Sequence, residues 1–235
     1  MSVYLFVSSN NKTIKMLCRI CNSSSSQYYK DTRVFHKCPQ CSLIFTDQTL
    51  DKESEEKHYK GQWENSNKEH IIALADKLLT IINKYRKPSR ILDFGSGSGS
   101  ITDEFLSRGI DTTPYEPMAH GSLANHNYQN MFDTVIATEV IEHLPNLWDE
   151  LKNIMGVLTN DGIAVFTTLM TNAFIDTPNE QFAFRKWWYK DDLTHVSFFC
   201  NRSLAKLAEL GHFKIDVYGD NNSSNTVVIY KNKIV

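Results

Sequence analysis

Three glycines at alternate positions mark a turn suited to ligand binding. An apolar segment, residues 91–94, carries Asp93 and leads into Gly95, Gly97 and Gly99, after which a helix-like pattern begins. Glycines allow positive φ and leave no Cβ between backbone and ligand, and the free N–H groups of the helix lie at the same place. This order predicts a nucleotide-like cofactor at the carboxyl end of a parallel sheet, against the alternative of a plain Gly/Ser loop.

Four cysteines form a second set, with a spacing that is typical of a metal site. Cys18 and Cys21 make one C-x2-C pair, and Cys38 and Cys41 make another after sixteen intervening residues. Four thiolates complete the tetrahedral shell of a zinc ion and leave no open position. We therefore predict a structural zinc ribbon, in which the metal supplies folding energy that so small a segment lacks. The alternatives are four unrelated thiols, or His36 in place of one ligand.

The residues after the glycine turn narrow the choice of cofactor. Serine and isoleucine follow the last glycine, which excludes the phosphate loop of ATP and GTP proteins because that loop needs a lysine there. The next expected strand ends in Glu116, about 20 residues after the turn, where an acidic residue can hold ribose hydroxyls. A further apolar strand, residues 132–138, leads into Glu-Val-Ile-Glu-His-Leu at residues 139–144.

In this order, the three segments resemble class I S-adenosylmethionine-dependent methyltransferases, over roughly residues 60–235. The resemblance implies an α/β fold, a Rossmann-like methyltransferase sheet flanked by helices, with S-adenosylmethionine as the cofactor. By the same resemblance, Asp93 and the glycines hold the amino-acid part of the cofactor, Glu116 holds the ribose, and Glu139 lies beside the methionine portion. The implied cofactor-binding residues are Asp93, Gly95, Gly97, Gly99, Glu116 and Glu139.

Two histidines are the candidate catalytic bases. His143 lies in the Glu-His motif, and His195 lies in an aromatic-rich segment, residues 170–200. In the methyltransferases that the chain resembles, histidines in both regions line the acceptor pocket, and the pKa of histidine suits proton transfer near neutrality. The alternative is that both histidines are structural. The aromatic residues of the segment either stack on the acceptor or belong to the core: Trp187, Trp188 and Tyr189.

The elements that position these residues divide into four predicted regions. They are a leader (1–15), the zinc ribbon (16–46), a linker or lid (47–66) and the methyltransferase domain (67–235). Helical spacing predicts a helix from Asn67 to Lys84 that covers the sheet, and a helix capped by Asn201 follows the aromatic segment. Two alternating segments near the end, 212–218 and 226–230, predict an antiparallel closing pair of strands.

Other segments leave alternatives open. Tyr59 and Trp63 form either a lid over the cofactor or a contact with the ribbon. Ser23 to Ser26 reads as a flexible tip. Class I methyltransferases usually have a third strand before the strand at 132–138, and here it must be very short or missing, so the adenine contacts are uncertain. The candidates for them are Asn127 and Tyr128.

The composition is that of a soluble globular protein. The chain has 235 residues, 41% of them hydrophobic, and a net charge of −2, which argues against a protein built mainly to hold nucleic acid. No apolar run reaches membrane-spanning length. Five cysteines without a signal-peptide pattern favour thiols or metal ligands over disulfides. We therefore expect a cytoplasmic protein in which Cys200 is a buried thiol.

The expected activity is transfer of a methyl group to oxygen or carbon of a sugar or other small-molecule acceptor, because ribbon and core together resemble bacterial methyltransferases of that kind. Methylation of RNA is the alternative that the basic ribbon suggests. A non-catalytic scaffold and an NAD-dependent oxidoreductase are two further hypotheses, and the alternate glycines disfavour the oxidoreductase. The basic ribbon residues are Lys12, Lys15, Arg19, Lys30, Arg33 and Lys37, against Asp31 and Asp47.

Overall fold

The computed structural model describes residues 16–63, 67–219 and 224–231, and the predicted leader lies outside them. The strands are β1 (Met16–Leu17), β2 (Ser24–Lys30), β3 (Val34–Lys37), β4 (Ile44–Phe45), β5 (Arg90–Phe94), β6 (Asp111–Tyr115), β7 (Phe132–Thr138), β8 (Leu158–Thr168), β9 (Ser197–Phe198), β10 (Phe213–Tyr218) and β11 (Asn225–Lys231). The helices are α1 (Lys52–Trp63), α2 (Lys68–Ile82), α3 (Ser100–Ser107), α4 (Pro117–His120), α5 (Leu147–Val157), α6 (Glu180–Lys186) and α7 (Asn201–Gly211).

The larger sheet has six strands in the order β10-β11-β8-β7-β5-β6. Strand β5 is parallel to both β6 and β7, and β7 is parallel to β8, so the carboxyl ends of four strands lie along one edge. Strand β11 is antiparallel to both β8 and β10, which confirms the predicted closing pair. The chain therefore has the Rossmann-like sheet flanked by helices that the sequence predicts.

The connection between β6 and β7 lacks a strand in this described stretch of the chain. It contains α4 and a short 3-10 turn, Leu123–Asn125. This confirms the expected loss of the third strand, and it leaves β6 at the edge of the sheet.

Alternate residues of the parallel strands face opposite layers of helices. In β5, Ile91 packs in the cluster that contains α2 and α3 residues, whereas Leu92 packs in the cluster that contains α5 and α7 residues. Ile136 and Val135 of β7 divide between the two layers in the same way. Since side chains alternate along a strand, each parallel strand stabilises both layers at once.

The ribbon is joined to the larger sheet's domain by a shared sheet and a shared core. The smaller sheet has the order β1-β2-β3-β4-β9, and its last strand comes from residues 197–198. Ile44 pairs with Phe198, and the indole N–H of Trp148 donates to the carbonyl of Ile20 at 3.0 Å. Buried ribbon residues therefore lie in the same hydrophobic cluster as α5 and α7.

Two local expectations differ from the structure. Three of the four serines expected to form a flexible tip, residues 24–26, begin β2. This strand is hydrogen-bonded on both sides, to β1 and to β3, and such pairing overrides weak strand propensity. Asn201, expected as an N-cap, is the first residue of α7. The cap is Cys200, whose side chain and that of Ser203 satisfy each other's backbone N–H groups.

Candidate functional site

A cavity of about 770 Å³ opens at the carboxyl edge of the parallel strands. The residues that follow β5, β6 and β7 line one part of it. Residues of α1 and α2 and of the segment 188–195 line the rest. This is the edge at which an open α/β sheet binds its ligands.

The glycine turn adopts the backbone that its composition predicts. Gly95, Gly97 and Gly99 have φ of +75°, +51° and +79°, a region that disfavours residues with a Cβ. A Cβ on Gly95 would lie 2.6 Å from a methyl carbon of Val140, so there is no room for one. Gly95 and Gly97 line the cavity, and Gly99 is the residue before α3.

Asp93 is buried beneath this turn and does not line the cavity. Its Oδ2 accepts a hydrogen bond from the Thr102 hydroxyl of α3 at 2.7 Å, and its Oδ1 has no hydrogen-bond partner within the described ranges. Burial raises the pKa of Asp93 to about 6. The carboxyl group ties the end of β5 to the first turn of α3 and so fixes the turn that lies between them.

Glu116 lies at the end of β6 and lines the cavity. Its Oε2 accepts from the backbone N–H of Gly97 at 3.1 Å, and its Oε1 accepts from that of Met118 at 3.2 Å, which caps α4. The next two residues, Pro117 and Met118, also line the cavity. The sequence analysis did not predict that Pro117 and Met118 line the cavity. Their position directly after Glu116 could have indicated it.

The residues named for adenine lie elsewhere. Asn127 is exposed, and the Tyr128 ring stacks on His126 at 5.4 Å and meets Phe132 edge-on. Neither Asn127 nor Tyr128 lines the cavity. The short segment between β6 and β7 packs Tyr128 against the core and leaves Asn127 in solvent.

Glu139 follows β7 with a φ of +52° and lines the cavity. Its backbone N–H donates to the carbonyl of Thr167 at 3.0 Å, which holds this left-handed residue against β8. Its carboxylate accepts from the hydroxyls of Thr167 and Ser224 at 3.1 and 2.6 Å, and the hydroxyl oxygen of Tyr189 lies 2.9 Å from its Oε2. Both residues missing from the sequence prediction, Ser224 and Thr167, are far from Glu139 in the chain.

Glu142 is completely buried next to the cavity. Its Oε1 accepts from the Tyr189 hydroxyl at 2.5 Å, and its Oε2 has no hydrogen-bond partner among the described residues. Burial, and then the nearby carboxylate of Glu139, raise the pKa of Glu142 well above its usual value. Tyr189 therefore joins the two acidic residues of the Glu-His motif, a role that the aromatic pattern alone did not indicate.

The two predicted bases lie side by side at the cavity wall. The ring centroids of His143 and His195 are 4.5 Å apart. Burial, and then the proximity of His195, lower the pKa of His143 to about 3, and burial also lowers the pKa of His195. Both imidazoles are therefore neutral near pH 7.

Hydrogen bonds orient both rings. The Nδ1 of His195 lies 2.7 Å from the carbonyl oxygen of Tyr189, and because a carbonyl only accepts, this nitrogen carries the proton. The Nε2 of the neutral ring therefore keeps its lone pair. The Nδ1 of His143 bonds to the hydroxyl of Tyr59 at 3.0 Å.

Helix α1 covers this part of the cavity. Glu55 and Tyr59 of α1 line it, as the lid hypothesis predicted for the tyrosine. The side chain of Trp63, the other lid candidate, lies outside the described residues. Of the aromatic segment, Trp188 is 67% exposed and lines the cavity, whereas Trp187 packs against Phe174 and Phe184.

The four ribbon cysteines converge as the spacing predicts. Their sulfur atoms all lie within 4.8 Å of one another, with Cys18 to Cys41 at 3.6 Å and Cys21 to Cys38 at 3.4 Å. Zinc–sulfur bonds of about 2.3 Å in a tetrahedron place sulfurs roughly 3.8 Å apart, so the set fits a zinc ion.

Two matching knuckles build this cluster. Asn22 and Ser42 follow the two cysteine pairs with φ of +56° and +58°, and each donates its N–H to the carbonyl of the first cysteine of its pair. His36 does not belong to the cluster, and its ring packs on Phe45. Cys200 is buried, as expected, with its sulfur 3.7 Å from the carbonyl oxygen of Cys41.

Arg33 links the ribbon to the loop that carries His195. Arg33 is 6% exposed. Its guanidinium donates to the backbone carbonyl oxygens of four residues between positions 190 and 195. Its Nη1 reaches Leu193 and His195 at 3.2 and 2.9 Å, and its Nη2 reaches Asp192 at 2.9 Å and also Lys190. The loop is therefore held in place by a side chain of the ribbon.

Other basic ribbon residues also bind within the chain. Arg19 donates to the carbonyls of Pro145 and Thr46, both at 2.6 Å. Lys37 pairs with Asp176 at 2.8 Å and with Glu180 at 2.7 Å. Lys12 and Lys15 lie outside the described residues. Three of the six cations named from the sequence are thus engaged by the protein itself.

No helix in the described parts of the chain is long and apolar enough to span a membrane.

Solved structures with the same fold are methyltransferases. The 1,6-didemethyltoxoflavin-N1-methyltransferase of Burkholderia thailandensis, solved with 1,6-didemethyltoxoflavin and S-adenosylhomocysteine, is 16% identical over 88% of this chain and 99% of that chain, with a TM-score of 0.53. The plantazolicin methyltransferase BpumL, solved with S-adenosylhomocysteine, is 12% identical over 77% and 92%, with a TM-score of 0.55. A SAM-dependent methyltransferase from Archaeoglobus fulgidus is 15% identical over 77% and 100%, with a TM-score of 0.50.

Family membership follows from the sequence match. No curated protein sequence matches the chain significantly. A family model described as a methyltransferase domain matches residues 62–216, which is more than half of the chain. The chain therefore belongs to this methyltransferase family and is an S-adenosylmethionine-dependent enzyme of class I, with an N-terminal four-cysteine ribbon.

Proposed function

We propose that the protein methylates oxygen or carbon of a sugar or another small-molecule acceptor. The observation that carries this proposal is that four of the six predicted cofactor residues line one cavity together with the histidine pair, and α1 partly covers it. The four are Gly95, Gly97, Glu116 and Glu139. The toxoflavin enzyme, which has the same fold, is named for N1-methylation of 1,6-didemethyltoxoflavin, and BpumL is named for plantazolicin. A cavity of about 770 Å³ suits a cofactor together with a small acceptor.

The end of the cavity at the glycine turn fits S-adenosylmethionine. Gly95 and Gly97 leave room for the amino-acid part, Glu116 offers two carboxylate oxygens to ribose hydroxyls, and Pro117 and Met118 offer apolar surface to adenine. Asp93 supports the turn from beneath. When bound, the cofactor supplies a methyl group that its positive sulfur activates for direct transfer.

The other end of the cavity fits the acceptor. Tyr59 and Trp188 supply aromatic walls, and His143 and His195 supply neutral imidazoles. The Nε2 of His195 is suited to accept the proton that the acceptor loses, because its Nδ1–H is held by the Tyr189 carbonyl. Partial cover by α1 limits the access of water to this proton transfer.

RNA is the second candidate acceptor, and the structure offers it little support. Arg19, Arg33 and Lys37 of the basic ribbon bind carbonyls and carboxylates of the chain itself, so they are not available to phosphates. Lys30 remains exposed on β2. Of the basic ribbon residues that the structure describes, this single exposed lysine does not make an RNA-binding face.

Glu116→Gln is expected to weaken binding of S-adenosylmethionine and S-adenosylhomocysteine by about 10- to 100-fold. The amide keeps the shape of the side chain but replaces a charged acceptor of ribose hydroxyls, whose hydrogen bonds are worth about 1.5–3 kcal/mol. Isothermal titration calorimetry of the purified protein measures the change. An acceptor screen with labelled methyl groups then follows on the wild type.

The matched control is Glu69→Gln, an exposed glutamate of α2 outside the cavity, which should bind both ligands as the wild type does. NADH should not bind at all. If the wild type binds neither adenosyl ligand, the scaffold hypothesis moves ahead of the enzyme. If NADH binds instead, the oxidoreductase hypothesis does.

A further inference from the structure

Two imidazoles and one carboxylate converge at the acceptor end of the cavity. Glu142, His143 and His195 each present one ligand atom, and these atoms all lie within 4.8 Å of one another. A single histidine is enough to accept a proton. Here three groups converge, and two of them are neutral imidazoles with a lone pair. Proton transfer does not require this many groups.

Both imidazoles are held by a hydrogen bond at the ring nitrogen that an ion does not require, and Glu142 is held at Oε1. Tyr189 supplies its carbonyl oxygen to Nδ1 of His195 and its hydroxyl to Oε1 of Glu142. Tyr59 bonds to Nδ1 of His143. Metal-binding histidines typically use one ring nitrogen for the metal and give the other to a carbonyl or similar partner, which fixes the ring.

Glu142 adds an independent observation. It is completely buried, yet its Oε2 has no hydrogen-bond partner within the described ranges. A buried carboxylate oxygen without a partner is costly. The other carboxylate oxygen, Oε1, lies 3.8 Å from Nε2 of His143, so an ion held by both oxygens of Glu142 would satisfy Oε2.

We propose that Glu142, His143 and His195 bind one divalent transition-metal ion on the acceptor side of the cavity. Two histidines and one carboxylate form the set that holds Mn²⁺, Fe²⁺, Co²⁺ or Zn²⁺ with open positions, whereas Mg²⁺ and Ca²⁺ prefer oxygen ligands. Metal–ligand bonds of about 2.0–2.2 Å place ligand atoms up to roughly 4.3 Å apart, so binding draws the three atoms slightly together.

This site defines the class of acceptor. One carboxylate leaves a net positive charge on the ion, so an acceptor with a hydroxyl and a neighbouring oxygen or nitrogen donor can occupy two open positions. A bound ion would lower the pKa of that hydroxyl, and its proton would pass to solvent. In the ion-bound state Nε2 of His195 would be a ligand, so the ion would replace this histidine as the group that activates the hydroxyl. The choice of acceptor rests on the proposed function, but binding of the ion does not.

The test is a titration of the full-length protein with Mn²⁺, followed by electron paramagnetic resonance of the free ion. Mn²⁺ suits nitrogen and oxygen ligands and does not compete with zinc for four thiolates. We expect one Mn²⁺ per chain beyond the zinc of the ribbon. Glu142→Gln and His195→Asn should each weaken Mn²⁺ binding by about 100-fold or more, since even an outer-shell change costs 10- to 100-fold.

These variants keep the surrounding contacts. Gln still accepts from Tyr189, and Asn at position 195 can still donate to the Tyr189 carbonyl while it lacks Nε2. The matched control is His70→Gln, a cavity histidine outside the cluster, which should bind Mn²⁺ like the wild type.

Absence of a stoichiometric Mn²⁺ site, or a site that both variants leave unchanged, would overturn the proposal. Calorimetry with S-adenosylhomocysteine on the same samples separates the two ideas. Cofactor binding without Mn²⁺ binding rejects the ion and keeps the methyltransferase. Mn²⁺ binding without cofactor binding keeps the ion and rejects the proposed activity.

Discussion

A chain with Cys38→Ser and Cys41→Ser is expected to lose its zinc and to unfold at a much lower temperature than the wild type. Structural zinc in small domains contributes about 10–16 kcal/mol of apparent binding free energy, and serine does not replace a thiolate ligand. The loss extends beyond the ribbon because β4 pairs with β9 and Trp148 bonds to Ile20. A loss of about 5 kcal/mol would already lower Tm by roughly 10–20 °C. Elemental analysis and calorimetric unfolding measure both effects.

The fifth cysteine supplies the control for this experiment. Cys200 is buried as deeply as the ligands but lies outside the cluster, so Cys200→Ala should keep one zinc per chain and lose only a helix cap. If the double serine variant retained zinc at full occupancy with an unchanged Tm, the four-thiolate site would be refuted. Loss of zinc with an unchanged Tm would refute only the structural role of the metal.

Replacement of Arg33 by methionine is expected to release the loop that carries His195 and leave the cofactor site intact. Two buried and two part-buried carbonyls lose their charged donor, and each buried carbonyl left without a partner costs about 1–3 kcal/mol. Because the backbone N–H of Val196 donates to the carbonyl of Glu142 at 2.9 Å, the disturbance reaches the Glu-His motif. Hydrogen exchange of residues 190–196 should accelerate strongly, whereas S-adenosylhomocysteine should bind within about twofold of the wild-type affinity.

Two variants define what this result means. Lys30→Met removes an exposed cation from the same ribbon and should change neither measurement. Arg33→Lys keeps the charge but not the planar set of donors, so it should restore protection only in part. Unchanged exchange in Arg33→Met would show that the loop is held without the guanidinium, and a large loss of cofactor affinity would show that the two ends of the cavity are not separable.

The parts of this site that the sequence predicted correctly are those that depend on the spacing of neighbouring residues in the chain. Gly95 and Gly97 follow a strand directly, and their positive φ is a property of the turn itself. The cysteine pairs likewise close their own knuckles through Asn22 and Ser42. Such features depend on neighbours in the chain, so a pattern of residue types is enough to find them.

Contacts between distant segments were not visible in the sequence. Arg33 read as one cation of a basic surface, because its carbonyl partners lie 157 to 162 positions further along the chain. Tyr189 read as either core or acceptor contact, and its hydroxyl instead joins Glu139 and Glu142. The same holds for Asp93, which was predicted to contact the cofactor. Its carboxyl group instead accepts a hydrogen bond from Thr102, and this contact depends on how α3 packs against β5.

The distance in sequence between the ribbon and its docking strand sets an order of assembly during synthesis. The cysteines leave the ribosome early, whereas Leu193, a partner of Arg33, follows 160 positions later. At about 5–20 residues per second, roughly 8–30 s separate the two. In that interval Phe35 and Ile44 lack the aromatic residues that bury them in the finished protein, Phe184 and Phe198. A zinc ion bound early by the four cysteines would therefore keep the nascent ribbon folded before β9 is available to pair with β4. A nascent chain that stops before residue 197 would expose the unpaired edge of β4, which favours aggregation.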